Sequence, residues 1–288
     1  MSINVTERAI LLIAVLAVAP VWAASGSNAG RFVHVAKDGT VALRTSEGLL
    51  LVPLHLAKAP DDCKATVTSS GDALARKVFR KDAAGQWSAE GQGLRTHVLR
   101  AGLAVPQDGS DGWAHVNEAL ATRTGYWHCS SPIALFEGPA ASTRTHPAIL
   151  MSVAQTESRR GQAMPYWPWT LNVGGRGYYF DSREDAYSAI QWLLRNGYRN
   201  FDIGLAQTNW RWHGHRYASP WDALQPHTNL EVAGAILREH YDRTGSWETA
   251  VRHYHNKNPD KNAPYLRRFL KHLEGAQRIW FERKEGAS

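Results

Sequence analysis

The chain predicts an α+β protein, rich in strands before about residue 130 and mainly helical after it. Two observations carry this. Residues 31–105 break into short apolar runs punctuated by glycine, the texture of antiparallel strands. Beyond residue 145, capping residues repeatedly precede apolar residues spaced three and four apart.

In the first half, Thr40–Thr45 and Leu49–Leu56 flank a Glu47-Gly48 turn and read as a hairpin, and further short runs are broken by Gly85, Gly91 and Gly93. A helix from about Asp111 to His128 carries Trp113, Val116, Leu120 and Trp127 at roughly helical spacing. The following stretch, 131–144, is rich in Ser, Pro, Ala, Gly and Thr and is expected to be a linker. Thr145 then caps a helix with Pro147 in its first turn and Ile149, Leu150, Val153 and Ala154 on one face, ending at Ser158–Gly161. Trp169–Phe180 reads as a hairpin around Gly174-Gly175-Arg176-Gly177. Ser182-Arg183-Glu184-Asp185 opens a second helix stopped by Gly197, and Thr228 with Glu231 opens a third. Ser246 caps a fourth, and an amphipathic fifth runs from about Asn262 to Glu282.

Composition bounds the classes open to such a chain. Its 288 residues, 43% hydrophobic and 20% charged, are those of a globular protein of one large domain or two modest ones. Arg8, the apolar run Ala9–Ala19, Pro20 and Val21-Trp22-Ala23 stand in signal-peptide order; the run is short for spanning a bilayer. Residues 1–23 are therefore expected to be a cleaved signal peptide, giving a periplasmic protein that starts near Ala24 and has no transmembrane segment. Cys63 and Cys129 permit one disulfide in that compartment, or remain separate buried thiols. A net charge of +7 favours anionic partners without choosing among nucleic acid, acidic lipid and wall polymers.

Glu157 lies one helical turn beyond Val153 and two beyond Ile149, so its carboxylate emerges on the apolar face where the helix stops. A carboxyl desolvated there would stay protonated at neutral pH and could act as a general acid, unless Arg159 and Arg160 fold back onto it. Periodicity alone leaves open a solvated helix-end glutamate.

The stretch from about His146 to Tyr265 resembles the soluble lytic transglycosylase family of peptidoglycan cleavers, whose fold is related to goose-type lysozyme. Ala154-Gln155-Thr156-Glu157-Ser158 looks like the family's catalytic Glu-Ser, and Ile203-Gly204-Leu205-Ala206-Gln207 like its Gly-Leu-Met-Gln loop, with Ala206 in place of Met. Tyr254-His255-Asn256 occupies the place of its Tyr-Asn motif, with His255 where Asn is usual. Trp167–Asn172 followed by Gly177-Tyr178-Tyr179-Phe180 is similar to variants found with conjugation and secretion systems. The resemblance implies a lysozyme-like helical domain over 145–288 with Glu157 as its one catalytic residue. It would protonate the oxygen leaving muramic acid and then take the proton of that sugar's 6-hydroxyl, closing a 1,6-anhydro ring. Ser158, Gly204, Gln207, Asn209, Tyr254, Trp169 and Trp210 are the substrate-binding residues it implies: Gly204 for close backbone approach, Gln207 for an acetamido group, the aromatic rings for sugar faces. The partners implied are glycan strands and a trans-envelope apparatus. No cofactor is needed, and His213/His215 and His253/His255 lack the acidic or Cys companions of a metal site. Two other readings stay open: a lysozyme-type hydrolase using Asp202 or Asp181 as second carboxylate, and a non-catalytic wall-binding scaffold.

Residues 40–128 resemble a staphylococcal-nuclease-like domain, which implies an oligonucleotide-fold β-barrel within a unit spanning 31–130. Val52–Asp61, Asp82–Gln86, Arg100–Ala104 and Gly125-Tyr126-Trp127 carry the likeness. Pro53 and Gln86 stand where the family has its phosphate-holding arginines, and Lys58 where it has a calcium-binding aspartate; Asp61 alone keeps a carboxylate. Such a site lacks charge stabilisation and repels a divalent cation, so nuclease activity and a nucleic-acid partner are not expected.

Overall fold

The structure, a computed structural model, describes residues 27–285 except 37, 59–63, 107–111, 129–130 and 162–165. The signal-peptide segment, both cysteines and Asp61 lie outside the described residues, as does the side chain of Lys58. Among the described residues no helix is long and apolar enough to cross a membrane.

The fold is α+β, with antiparallel sheets in the N-terminal part and a helical C-terminal part. Strands β1 (Ala29–Val35), β2 (Val41–Thr45) and β3 (Gly48–Val52) form a meander; the turn from β2 to β3 is Ser46-Glu47, so Gly48, expected in the turn, instead opens β3 opposite Thr45. Next come β4 (Leu56–Lys58), helix α1 (Lys64–Ala75), β5 (Phe79–Lys81), β6 (Trp87–Ala89) and β7 (Gln92–Gly93). Helix α2 (Leu94–Arg100), β8 (Ala104–Pro106) and α3 (Gly112–Thr122) complete this part, with a 3-10 turn at Gly125–His128. One six-stranded sheet has the order β3-β2-β1-β5-β6-β7, and β4 pairs with β8 separately. The expected barrel is not closed: no strand pairing among the described residues joins the two sheets. Phe32, Leu43, Phe79, Trp87 and Leu99 fill the core between sheet and helices.

The stretch 131–144 is not a linker. It forms α4 (Ala134–Thr143), with Leu135, Phe136, Pro139 and Ala140 buried. Its small residues permit close packing: a Cβ on Gly138 would meet His227 Nε2 at 2.9 Å. The central helix α5 (Pro147–Glu157) is buried from Pro147 through Ala154, and its cap is the His146 ring, whose Nδ1 accepts from Ala148 N, rather than Thr145. Leu150 and Val153, fully buried there, each contribute about 1.5–3 kcal/mol.

The expected hairpin is present as β9 (Thr170–Val173) and β10 (Arg176–Tyr179) and grows into a sheet of order β10-β9-β11-β12 by adding β11 (Phe201–Ile203) and β12 (Thr208–Asn209). Helix α6 (Arg183–Arg195), capped by Ser182, covers one face. Short helices α7 (Trp210–His213) and α8 (Pro220–Ala223) lead to α9 (Pro226–Thr244), α10 (Trp247–His255) and α11 (Pro259–Glu285), the last packed along α5. The parts are joined by an ionic cluster with a buried centre, Glu118 and Arg183. Glu118 of α3 accepts from Arg183 at 2.6 Å and pairs with Arg100 at 2.8 Å, while Arg100 also reaches Glu184 at 2.8 Å.

Candidate active site

Helix α5 ends at Glu157 because Ser158 turns the chain without a glycine. The Ser158 hydroxyl donates back to Ala154 O at 3.0 Å and accepts from Trp167 N at 3.3 Å, folding the next segment against the helix end. Glu157 is thereby left at the floor of a cleft of about 350 Å³.

The opposite wall is the β9-β11-β12 sheet. Its register sets Asn172 beside Asp202 and Asp202 beside Asn209, a row of three polar residues that all line the cleft. Asn209 donates to Asp202 Oδ1 at 2.8 Å and caps α7 through Oδ1, so its side chain orients Asp202. The turn from β11 to β12 holds two left-handed residues, Gly204 at φ +82° and Gln207 at φ +48°. The Gln207 amide donates to Thr170 O at 3.0 Å and Gly204 O at 2.8 Å. Beneath the turn the fully buried Asn229 of α9 accepts from Ala206 N at 2.9 Å and donates to Ile203 O at 3.0 Å. Tyr254 donates to Ala206 O at 2.7 Å, and His255 stacks on Tyr265 with ring centroids 4.4 Å apart.

Glu157 is held far from ordinary carboxyl behaviour. Burial pushes its pKa up to about 8; the Tyr265 hydroxyl and the Arg268 guanidinium oppose the shift and the Asp202 charge adds to it. Glu157 is half-buried and lines the cleft on one side, with protein around the rest, so little solvent can stabilise the anion. The Tyr265 contact falls outside ordinary hydrogen-bond geometry, leaving that buried hydroxyl without a partner. Burial also raises Asp202, against the pull of Asn209, and lifts Tyr254 and Tyr265 well above 10, so both phenols keep their protons. Arg159 and Arg160 do not fold back: Arg159 donates to Gly161 O at 3.2 Å, and Arg160 pairs with Asp181 at 2.9 Å.

Of the residues singled out in the sequence, Glu157, Gln207, Asn209 and Tyr254 meet in the cleft. Four do not line it. Ser158 is fully buried as the helix stop. Gly204 answers to the interior, since a Cβ there would lie 2.5 Å from Asn229 Nδ2. Trp210 is sandwiched between Phe201 and Tyr217, and Trp169 packs edge-on against Trp167. Gln207 has spent both amide donor contacts on backbone, leaving its carbonyl oxygen as acceptor. The tryptophan that lines the cleft is Trp212, 64% exposed. Asn172, Asn229 and Tyr265 were not singled out; the alternation along β9 could have flagged Asn172, whereas Asn229 and Tyr265 look like ordinary helix residues until the turn and Glu157 pack against them.

No protein family, curated protein or solved structure matches the chain.

Proposed function

We propose that this chain cleaves the glycan strands of bacterial peptidoglycan as a lytic transglycosylase, with Glu157 as acid and then base. The observation that carries the reading is the Glu157 carboxyl, held protonated with a pKa of about 8 at the floor of a polar cleft. A protonated carboxyl at neutral pH is what a leaving glycosidic oxygen needs. Glu157 gives its proton to that oxygen as the bond from muramic acid C1 breaks. The resulting carboxylate takes the proton of the same sugar's 6-hydroxyl as O6 bonds to C1, and the enzyme returns to its starting protonation state. The attacking oxygen belongs to the substrate, so proximity replaces activation of water.

The remaining cleft residues fit binding. Trp212 offers a ring face for a sugar, Asn172 a side-chain amide whose Oδ1 already accepts from Gly175 N at 3.0 Å, and the neutral Tyr254 keeps its proton in the bond to Ala206 beside Glu157. Export to the periplasm and service to a conjugation or secretion apparatus belong to the same reading and rest on the sequence motifs.

One observation favours a second reading. Asp202 lines the same cleft as Glu157, and two carboxyls flanking a glycosidic bond are the equipment of a hydrolase that activates water. Glu157→Gln tests what the readings share: the variant should fold and bind glycan strands while losing cleavage by about a thousandfold or more. Undiminished cleavage would remove Glu157 from the chemistry.

A further inference from the structure

The small sheet has two faces, and the cleft uses only one. Along β9, Asn172 enters the cleft while Leu171 and Val173 point the other way. There they floor a second groove of about 480 Å³ between the sheet and α6, together with Phe180, Ala189 and Leu193. Its rim is aromatic and open: Tyr178, Trp192 and Tyr198 are 39, 54 and 54% exposed. Trp192 and Tyr198 stack with centroids 6.1 Å apart. Exposed apolar surface gathered in one place is a mark of interaction sites.

Two further features say what the groove would take. Strand β10 is the edge of the sheet, and all four of its residues are exposed, so among the described residues one row of its backbone donors and acceptors has no strand partner. Arginines neighbour its rim residues. Arg176 lies 5.3 Å over the Tyr178 ring, the exposed Arg195 and Arg199 stand close to Tyr198 in the chain, and no carboxylate lines the groove. Among the described residues none of these three arginines has an acidic partner.

We propose that an extended segment of a partner protein docks here as an added strand beside β10, with apolar side chains at alternate positions in the groove and acidic residues facing Arg176, Arg195 and Arg199. Strand addition supplies backbone hydrogen bonds, and the period of two in an extended chain sends every second side chain into the groove. Trp, Tyr and Arg are also the residue types that dominate binding energy at protein interfaces. A glycan fits less well, because Trp192 and Tyr198 turn a ring face on each other and the lining holds no amide or carboxylate for sugar hydroxyls. A second copy of this chain would bring the same three arginines against themselves across a twofold axis.

The test is selection of phage-displayed random peptides of about eight residues, long enough to span β10, on the purified protein. Enriched peptides should alternate apolar residues with Asp or Glu. Their affinity should fall about tenfold or more with Trp192→Ala and with the paired Arg195→Glu and Arg199→Glu changes. Glycan cleavage by Trp192→Ala should match wild type, because the groove lies on the opposite face of the sheet from Glu157. The proposal is overturned if no peptide is enriched, if the enriched peptides are basic, or if they bind Trp192→Ala undiminished. It is equally overturned if sedimentation shows a dimer that Trp192→Ala abolishes, or if a single-stranded oligonucleotide or a chitooligosaccharide quenches Trp192 where acidic peptides do not. None of these outcomes bears on the role of Glu157.

Discussion

Asp202 and Glu157 line one cleft, and the charge of the first adds to the burial that lifts the pKa of the second to about 8. An acid that must be protonated to work gives a rate that falls as pH rises through its pKa. For cleavage of glycan strands, kcat/KM should therefore decline with a one-proton slope around pH 8. Asp202→Asn removes the raising charge while still accepting the Asn209 bond, so the alkaline limb should move to lower pH. A limb that stays in place would show that the two carboxyls are not coupled.

Glu157 also costs the fold stability. Its folded pKa, about 8, exceeds the usual 4.5, so the unfolded chain releases this proton at lower pH than the folded chain does. The stability linked to the proton is complete below 4.5 and is lost as pH rises towards 8. Glu157→Gln removes that loss. Urea unfolding should show the variant roughly 2 kcal/mol more stable than wild type at pH 7, a figure discounted for the water that reaches the carboxyl, with the difference vanishing near pH 4.

Gly204→Ala should destabilise the protein by roughly 2–4 kcal/mol, because the left-handed backbone disfavours a side chain and the new methyl would press on Asn229. Since Gly204 does not line the cleft, KM for glycan strands should change little at temperatures where the variant stays folded. A large rise in KM with unchanged melting would contradict the interior role assigned to this glycine.

Glu118 and Arg183, 3 and 4% exposed, bridge α3 to the start of α6. Burial pushes the Glu118 pKa up, but the bond to His115 and the charges of Arg100 and Arg183 outweigh it and hold Glu118 below the usual carboxyl range. Glu118→Gln leaves the buried Arg183 without its counter-ion, while Arg100 keeps Glu184, and should cost about 3–5 kcal/mol in chemical unfolding. The wild-type contribution should itself fade as acid protonates Glu118 through its lowered pKa. A cost below about 1 kcal/mol would mean that solvent already reaches the cluster.

Elements with local signals were legible in the sequence. The Gly174–Gly177 hairpin and the Ser182 and Ser246 caps each depend on a few adjacent residues and formed where expected, and the turn before β3 formed at Ser46-Glu47, beside the expected Glu47-Gly48. What depends on distant packing was not. Ala134–Thr143 has the composition of a linker, yet Leu135 and Phe136 find α5 and α9, and its glycine and alanines let the helices approach. Strand β11 has little local signature and forms because β9 offers it an edge. In the cleft, Glu157 and Tyr254 were legible from motif and helix phase. Which tryptophan faces the cleft was not, since a count of tryptophans cannot tell the half-buried Trp210, stacked between Phe201 and Tyr217, from the exposed Trp212 two positions on.

The central claim is that Glu157 needs no water as nucleophile, and the products of purified sacculi test it most directly. Mass spectrometry of muropeptides released by the wild-type protein should find 1,6-anhydro ends, each product one water lighter than its hydrolytic counterpart, with Asp202→Asn giving the same products. Reducing ends, lost in Asp202→Asn, would contradict the account and assign the chemistry to the Glu157–Asp202 pair of a hydrolase.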